Sequence, residues 1–291
     1  MHDNLRGMAL MTGAMAAFAL ADALIKALGD THPSGQIIWV AGIGGTLAFA
    51  LACIALREAP LTRDALAPAT LARVLTEAVG TFGIVTALTL APLSVVVAIM
   101  QSVPLLVTLG AAAFLGEQVG WRRWLAIIVG LLGVMIIIRP GTEGFTPPAL
   151  FAVLAAVTLA ARDILTRMVP RTATNLQLGV WGFAGLIPTG FLLVAISGQA
   201  EGPYTPIALT YFAGITVLTA LAILFVTMSM RVGDVAVIAP FRYTRLLFGL
   251  ALAILWFGER PDLATWIGSA IVVASGLYTF ARERRLAQGT A

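Results

Sequence analysis

The chain has 291 residues, of which 59% are hydrophobic and 11% are charged, and its mean hydropathy is +0.96. A soluble domain carries roughly 25% charged residues, so most of the surface of this protein faces something other than water. The net charge of +4 does not indicate a nucleic-acid partner, because the basic residues lie between apolar runs instead of clustering on a soluble domain.

Apolar segments long enough to cross a membrane recur along the whole chain. A transmembrane helix needs about 20 apolar residues to cross the hydrocarbon layer. Short separators with turn-forming and charged residues, such as Arg139-Pro140-Gly141, divide the segments. The sequence therefore predicts an all-α membrane protein with ten transmembrane helices, at residues 6–28, 35–56, 70–90, 93–115, 121–138, 148–168, 176–197, 205–228, 234–257 and 262–280.

Residue types that carry catalysis are scarce. The chain has one cysteine, Cys53, within an apolar run, and two histidines, His2 and His32, outside the apolar runs. It shows no metal-ligand cluster, phosphate-binding loop or Ser/His/Asp constellation. The sequence therefore favours a protein that is not an enzyme, needs no cofactor or metal, and does not drive transport with ATP itself.

The lysines and arginines set the expected orientation, because they prefer cytoplasmic loops. With a cytoplasmic N-terminus, ten of the 18 basic residues lie on the cytoplasmic side, whereas only Arg139 and Arg260 lie on the periplasmic side. This distribution predicts a multi-pass protein of the cell inner membrane with both termini in the cytoplasm.

An internal repeat divides the chain into residues 1–141 and 142–291. At offsets of 141 or 142, Asp22 matches Asp163, Lys26 matches Arg167, Gln36 matches Gln177, Gly116-Glu117 matches Gly258-Glu259, and Trp124 matches Trp266. Each half contains five predicted spans, and an odd number means that the second half enters the membrane from the opposite side. Two inverted five-helix repeats can open one site alternately to either side of the membrane. The repeat also favours the first span as part of the fold over its alternative as a signal peptide, which Ala19-Leu20-Ala21 resembles.

Four matched charges have a structural interpretation. Asp22 with Lys26, and Asp163 with Arg167, are spaced i,i+4, so each pair can meet on one helix face and neutralise its charges. We predict structural ion pairs at these positions in preference to substrate ligands.

Both copies of the Gly-Glu motif suit a helix boundary. Gly116 and Gly258 are expected to be helix C-caps. Glu117 and Glu259 would then lie at the start of the next helix, where a negative charge favours the positive end of the helix dipole.

The motif that precedes the last helix of each half, Phe114 to Glu117 and Phe257 to Glu259, is accompanied by a second stretch from Pro240 to Phe248. Over essentially the whole chain, these residues resemble the EamA-type branch of the drug/metabolite transporter superfamily. The resemblance implies a central cavity built from the first four helices of each half, with the fifth helices as packing or dimerisation helices. Members are implied to export amino acids and drugs or to take up or exchange metabolites. The chain is also similar to the subgroup of S-adenosylmethionine carriers.

Three charged residues are predicted to lie inside spans at comparable depths. Glu77 lies about seven residues into the third span and Arg242 about eight into the ninth, both from the cytoplasmic side, and Arg245 lies about one turn deeper. Charges inside a span are functional candidates by default, and the planar fork of arginine suits a carboxylate. All three are therefore predicted to bind substrate. The alternative is a structural ion pair of Glu77 with Arg242 or Arg245 that closes the cytoplasmic side.

Two further candidates lie beside prolines inside spans. Gln101 is one turn before Pro104 in the fourth span, and Tyr243 follows Pro240 in the ninth. Proline frees a backbone carbonyl and bends a helix, which is tolerated where the backbone lines a cavity. Gln101 and Tyr243 are predicted to line the site, with a packing kink that contacts no ligand as the alternative.

Two tryptophans related by the repeat, Trp39 and Trp181, lie about one turn inside the second and seventh spans. Tryptophan at this depth suits an interfacial anchor. If the two rings face inward, they can stack on a cationic or aromatic substrate, so both belong to the predicted substrate-binding set.

These features predict a secondary transporter of a small zwitterionic or cationic organic metabolite, such as an amino acid derivative or S-adenosylmethionine, that works by alternating access. A solute or proton gradient would supply the energy, with Glu77 and Asp22 as protonatable groups. One alternative, a broad-specificity exporter of drugs or toxic metabolites, predicts little loss from single charge substitutions. The other, a membrane enzyme or sensor, would need a catalytic cluster or a signalling domain. The expected partners are the metabolite and the lipid bilayer, with a homodimer as a further option.

Overall fold

The computed structural model describes residues 2–116, 120–142, 144–232 and 235–289. Regular secondary structure in these ranges is entirely helical. The helices are α1 (His2–Gly29), α2 (Ser34–Ala55), α3 (Pro68–Leu90), α4 (Leu93–Met100), α5 (Val103–Phe114), α6 (Trp121–Ile138), α7 (Ala149–Thr166), α8 (Asn175–Ser197), α9 (Pro206–Val232), α10 (Val235–Ile238), α11 (Thr244–Leu255) and α12 (Leu263–Gly289), with short 3-10 turns at Arg63–Leu66 and Ala239–Tyr243.

Within the described ranges, nine segments are long and apolar enough to cross a membrane, with α4 and α5 counted together as Leu93–Phe114. They coincide with nine of the ten predicted spans, so the chain is an all-helical, multi-pass membrane protein. The predicted span 234–257 is instead divided into α10, a 3-10 turn and α11. Pro240 lies at the start of that turn, and a proline cannot donate the hydrogen bond that would continue a helix. Because α11 alone extends only about 18 Å, the count of ten crossings stays a prediction.

Two glycines end helical segments at matching positions of the halves. The φ angles of Gly116 and Gly258 are +69° and +64°, a left-handed conformation that glycine adopts without steric cost. This geometry confirms the predicted role of both glycines at helix C-termini. Glu117, the next residue in the first copy of the motif, lies outside the described residues.

Helix packing between the halves is reciprocal. Helix α1 packs on α9, while its repeat partner α7 packs on α3; in addition, α2 packs on α8 and α6 packs on α12. The α6–α12 pair contacts the rest of the bundle mainly through the broken segments α4, α5 and α10 and the 3-10 turn before α11. The last helix of each half therefore lies at the periphery, as the family resemblance implies.

Two buried glutamines show how α2 and α8 run. In the first turn of α2, Gln36 Nε2 donates to the carbonyl of Gly202 at 3.0 Å and Gln36 Oε1 accepts from the Gly202 N–H at 2.7 Å. In the first turn of α8, Gln177 Nε2 donates to the carbonyl of Ala59 at 2.8 Å. Because Gly202 follows α8 and Ala59 follows α2, the two helices are antiparallel. Each glutamine thus fastens the start of its own helix to the segment that follows the other.

The same alternation gives the bundle two faces. We call the face where α1, α3, α6, α8 and α10 begin face I, and the face where α2, α4, α7, α9 and α12 begin face II. At face I, a Cβ atom on Gly7 of α1 would lie 3.3 Å from the carbonyl oxygen of Ser229, near the end of α9. At face II, His32 after α1 donates from Nε2 to the carbonyl of Pro203 at 3.2 Å, and Pro203 lies three residues before α9.

Candidate functional site

The two broken helical segments touch each other at their breaks. Gln101 and Ser102 separate α4 from α5, and the turn Ala239–Tyr243 leads into α11. The buried side chain of Gln101 donates from Nε2 to the carbonyl oxygen of Tyr243 at 3.1 Å. Pro104 lacks the N–H that would bond to the carbonyl of Met100, which explains why α4 ends there. The breaks place polar backbone groups in the interior of the bundle.

An ion pair between Asp22 and Arg245 lies beside these breaks. Arg245 is in the first turn of α11, and its Nε and Nη2 atoms contact the Asp22 carboxylate of α1 at 3.1 Å and at 2.9 and 2.6 Å. The side chains are only 7% exposed for Asp22 and 17% for Arg245. The guanidinium also lies 5.1 Å from the ring centre of Phe18. A bidentate arginine–carboxylate contact of this kind is among the stronger polar contacts in proteins.

The depth of this pair follows from helix geometry. Asp22 lies seven residues before the end of α1 and Arg245 lies ten residues before the end of α11. At 1.5 Å per residue, the pair is about 10 to 15 Å from face II. Because the hydrocarbon layer is about 30 Å thick, a pair at this depth lies near its middle, at similar distances from the two faces.

The partners of Asp22 and Lys26 differ from the predicted i,i+4 pair. Asp22 binds Arg245, and Lys26 instead donates to the carbonyl of Ala91 at 2.9 Å and lies 3.6 Å from Glu259 Oε1. Lys26 is one turn further along α1 than Asp22, so it reaches the face II ends of α3 and α11. The charges are neutralised across helices and not along one helix.

Glu259 caps a helix of the other half. Its carboxylate accepts hydrogen bonds from the backbone N–H groups of Leu93 and Ser94 at 2.7 and 3.0 Å, and from the Ser94 hydroxyl at 2.7 Å. These are orphan donors in the first turn of α4, where a negative charge is favourable. The predicted helix-start role is therefore correct in kind, but the helix is α4 and not the following helix α12.

A second charge cluster joins α3 to α7 and α8 on the face I side. Glu77 binds Arg73 of its own helix at 2.8 Å and Arg162 of α7 at 3.3 Å. Arg162 also binds its neighbour Asp163 at 2.6 Å, and Arg73 donates to Thr166 at 3.1 Å. Two carboxylates and two guanidiniums balance one another.

This cluster replaces the predicted partners of Glu77, because Arg245 is held by Asp22. Arg242 lies half-buried in the 3-10 turn before α11. Arg73, for which the sequence analysis proposed no role, is spaced i,i+4 from Glu77, and this spacing was a signal that could have identified it. Arg167 is the exposed C-cap residue of α7.

The tryptophans lie in the contact between α2 and α8. The Trp39 indole donates to Glu201 Oε1 at 3.0 Å and its ring stacks on Phe191 with centroids 4.8 Å apart. The buried Trp181 donates to the carbonyl of Pro60 at 2.9 Å. Each ring thus contacts the segment that ends or follows the opposite helix, as the two glutamines do, and the structure places neither ring beside the Asp22–Arg245 pair.

Tyr243 contributes its backbone and not its ring to the contact between the breaks. Its carbonyl accepts the Gln101 hydrogen bond, whereas its phenol packs against Gly276 of α12 and its ring lies edge-on to Phe280 at 6.3 Å. The residues that meet at mid-depth are therefore Asp22, Arg245, Gln101 and the carbonyl of Tyr243.

Comparison with known proteins identifies the relatives of this fold. The model of the EamA-like transporter family matches residues 5–139 and again residues 146–281. A solved crystal structure with 18% sequence identity and a TM-score of 0.63 covers 96% of this chain and 98% of its own, which shows the likeness of fold alone.

Several curated transporters align with most of the chain. A riboflavin transporter of Rhizobium johnstonii is 32% identical over 74% of this chain and 70% of its own length. An S-adenosylmethionine uptake transporter of Rickettsia felis is 28% identical over 68% and 66%, and a pseudopaline exporter of Pseudomonas aeruginosa is 25% identical over 92% and 94%. These relatives are transporters and not enzymes, and the chain belongs to the EamA-like transporter family.

Proposed function

We propose that this protein is a secondary transporter that moves a small zwitterionic or cationic organic metabolite across the inner membrane by alternating access. In this proposal, residues 1–141 and 142–291 are two inverted repeats of five membrane segments each, with both termini, and therefore face I, in the cytoplasm. The antiparallel packing of the matched helices α2 and α8 supports the inversion, and the ten-to-two distribution of basic residues supports the orientation.

The observation that carries the substrate class is the buried Asp22–Arg245 pair. A substrate with a carboxylate and an ammonium or sulfonium group can divide this pair, so that its carboxylate binds Arg245 and its cationic group binds Asp22. The exchange keeps the site neutral and leaves neither buried charge without a partner, which would be costly. The Tyr243 carbonyl is two residues from Arg245 along the chain, and Gln101 reaches it by a hydrogen bond from another helix. These two polar groups at the helix breaks can bind the rest of the molecule.

The charge clusters on the two sides of this pair suit gates. On the face I side, Glu77 joins α3 of the first half to α7 of the second through Arg162. On the face II side, Glu259 of the second half binds the start of α4 and approaches Lys26 of the first half. Alternating access requires that one of these connections open while the other stays closed.

The names of the relatives include both uptake and export. The riboflavin and S-adenosylmethionine relatives are named for uptake or transport, whereas the pseudopaline relative is named an exporter and aligns over more of this chain. Export is therefore the second candidate direction, in the form of the broad-specificity exporter that the sequence left as an alternative. It differs in that its substrates would not need to divide the Asp22–Arg245 pair.

A thermal-shift panel tests the proposal. Purified protein would be mixed with amino acids, betaines, polyamines, nucleosides, riboflavin and S-adenosylmethionine; a ligand at 100 times its Kd stabilises the folded state by about 2.7 kcal/mol. The test variant is Asp22→Asn/Arg245→Gln, which removes both charges without leaving one of them alone. The matched control is Arg171→Gln, an exposed arginine between α7 and α8.

The expected result is that one class of zwitterionic or cationic compounds stabilises the wild type and Arg171→Gln but not the double variant. Weak stabilisation by compounds of many classes in the panel, charged and uncharged, that is unchanged in the double variant would instead support the broad exporter. Stabilisation by a zwitterion that survives in the double variant would remove Asp22 and Arg245 from the site.

A further inference from the structure

An apolar groove runs along the outside of the bundle between α6 and α12. It has a volume of about 400 Å³ and is lined chiefly by Trp121, Leu125 and Val129 from α6 and by Ile271, Ala274 and Tyr278 from α12. Further along, the helices approach closely, since a Cβ atom on Gly268 would lie 2.6 Å from the carbonyl oxygen of Gly133. The groove is therefore open towards face I and closed where these two glycines meet.

The face I end of the groove is strongly basic. An adjoining depression is lined by Gly120, Trp121, Arg122, Arg123 and Arg282. Trp121 and Arg122 line both cavities, and the Arg122 guanidinium lies 5.3 Å from the centre of the Trp121 ring. Among the described residues that line the two cavities, three are arginines and none is acidic, so an anionic group is favoured at this end.

The length of the groove corresponds to one leaflet of a membrane. Arg282 and Ile271 are eleven residues apart on α12, which is about 16 Å along a helix. The hydrocarbon layer is about 30 Å thick, so each leaflet contributes about half of that thickness. Trp121 and Tyr278, which are 70% and 46% exposed, lie near the basic end, where aromatic residues occupy the membrane–water interface.

We propose that this groove binds an anionic glycerophospholipid, whose acyl chain lies between α6 and α12 and whose phosphodiester contacts Arg122 and Arg282. Arginine pairs favourably with phosphate oxygens, and basic pockets between transmembrane helices are suited to anionic headgroups. A second copy of the chain is the less favourable occupant, because a symmetric contact would bring the arginines of both copies together. The site is separate from the Asp22–Arg245 pair and does not depend on which solute is transported.

Native mass spectrometry of the delipidated, full-length protein tests this proposal. The protein would be titrated with dioleoylphosphatidylglycerol, with dioleoylphosphatidylcholine and with inorganic phosphate. We expect the wild type to bind the anionic lipid at least about tenfold more tightly than the zwitterionic one. Arg122→Gln/Arg282→Gln should lose this preference, whereas the matched control Arg63→Gln/Arg171→Gln, which changes two exposed arginines in loops of the same face, should keep it.

A groove variant separates a lipid from a simple anion. Ala274→Phe fills the groove at an exposed position and leaves the arginines unchanged, so it should weaken binding of the anionic lipid. The proposal is overturned if the wild type retains both lipids equally, if the arginine variant keeps its preference, or if Ala274→Phe has no effect and inorganic phosphate displaces the lipid. A lipid-free dimer that Ala274→Phe dissociates would assign the groove to a second copy and also overturn it.

Discussion

Two aspartates at matching positions of the halves, Asp22 in α1 and Asp163 in α7, have different partners. The Asp22 side chain is 7% exposed and binds Arg245, which is 223 residues away in the sequence. The Asp163 side chain is 28% exposed and binds its neighbour Arg162. The helices of the two halves correspond, but their charges do not. Of the two matched aspartates, Asp22 alone forms an ion pair with the broken helix of the other half.

The asymmetry arises from two positions. At the offset of 142, Arg245 corresponds to Val103, so α5 offers no arginine to Asp163. At the offset of 141, Arg162 corresponds to Ala21, so Asp22 has no basic neighbour in the chain. This chain therefore has one charge site at mid-depth, at Asp22 and Arg245, and one towards face I, at Glu77 and Arg162.

The largest effect on stability is expected from Arg245→Ala, which breaks the Asp22–Arg245 ion pair. Removing one partner of a buried ion pair leaves an unpaired charge and costs about 3 to 5 kcal/mol of folding free energy. Denaturant unfolding of the purified variant in detergent would measure it. The double variant Asp22→Asn/Arg245→Gln should lose much less, because no charge is left alone; equal losses for both variants would show that the pair is hydrated and not buried.

Breaking the Asp163–Arg162 ion pair should lower the free energy of unfolding only slightly. Asp163→Asn leaves Arg162 with its other partner Glu77, and a partly exposed pair contributes about 1 kcal/mol or less. We therefore expect Asp22→Asn to lower the free energy of unfolding clearly more than Asp163→Asn in the same assay. Similar losses would mean that the matching positions are energetically equivalent despite their different partners.

Hydropathy was sufficient for most of the fold, whereas the site depended on contacts that a sequence does not display. Nine predicted spans correspond to helices because about 20 apolar residues in a row have few alternatives. Pro240 indicated an interruption of the ninth span, but not that a 3-10 turn would occupy five residues there. The Asp22–Arg245 pair could not be predicted, because it depends on which helices lie side by side. The Arg73–Glu77 ion pair could have been predicted, because the two residues are spaced i,i+4.

Glu259→Gln tests a connection that crosses from one half to the other. The carboxylate accepts hydrogen bonds from the start of α4 with both oxygens, whereas an amide offers one oxygen and no charge. We expect a loss of about 1 kcal/mol, typical of a helix N-cap, in the same unfolding assay. Asp3→Asn, at an exposed position in the first turn of α1, is the control. No loss in Glu259→Gln would mean that water replaces the cap.

The smallest effect concerns the starts of α6 and α12, a second matched pair with unequal charges. Asp262 precedes α12 and accepts a hydrogen bond from the Thr265 N–H at 2.9 Å and an ion pair from Arg139. The corresponding residue before α6 is Gly120, and the residue that corresponds to Arg139 is Ala281. Among the described residues, a carboxylate stabilises the start of α12, and none does so at the start of α6.

This inequality predicts a dependence of stability on pH. Burial acts to raise the pKa of Asp262, but the hydrogen bonds from Thr265 and the charge of Arg139 outweigh it and lower the pKa below its ordinary value. A carboxyl whose pKa is lower in the folded state stabilises the protein above the pKa of an unfolded aspartate, about 3.9, and loses that contribution as the pH falls through the lowered value. Because the Asp262 side chain is 45% exposed, the contribution is small and screened by salt. The melting temperatures of the wild type and Asp262→Asn should therefore differ slightly at pH 6. The difference should disappear as the pH falls below the lowered pKa of the Asp262 carboxyl. A difference that persists in acid would assign the effect of Asp262 to the shape of its cap and not to its charge.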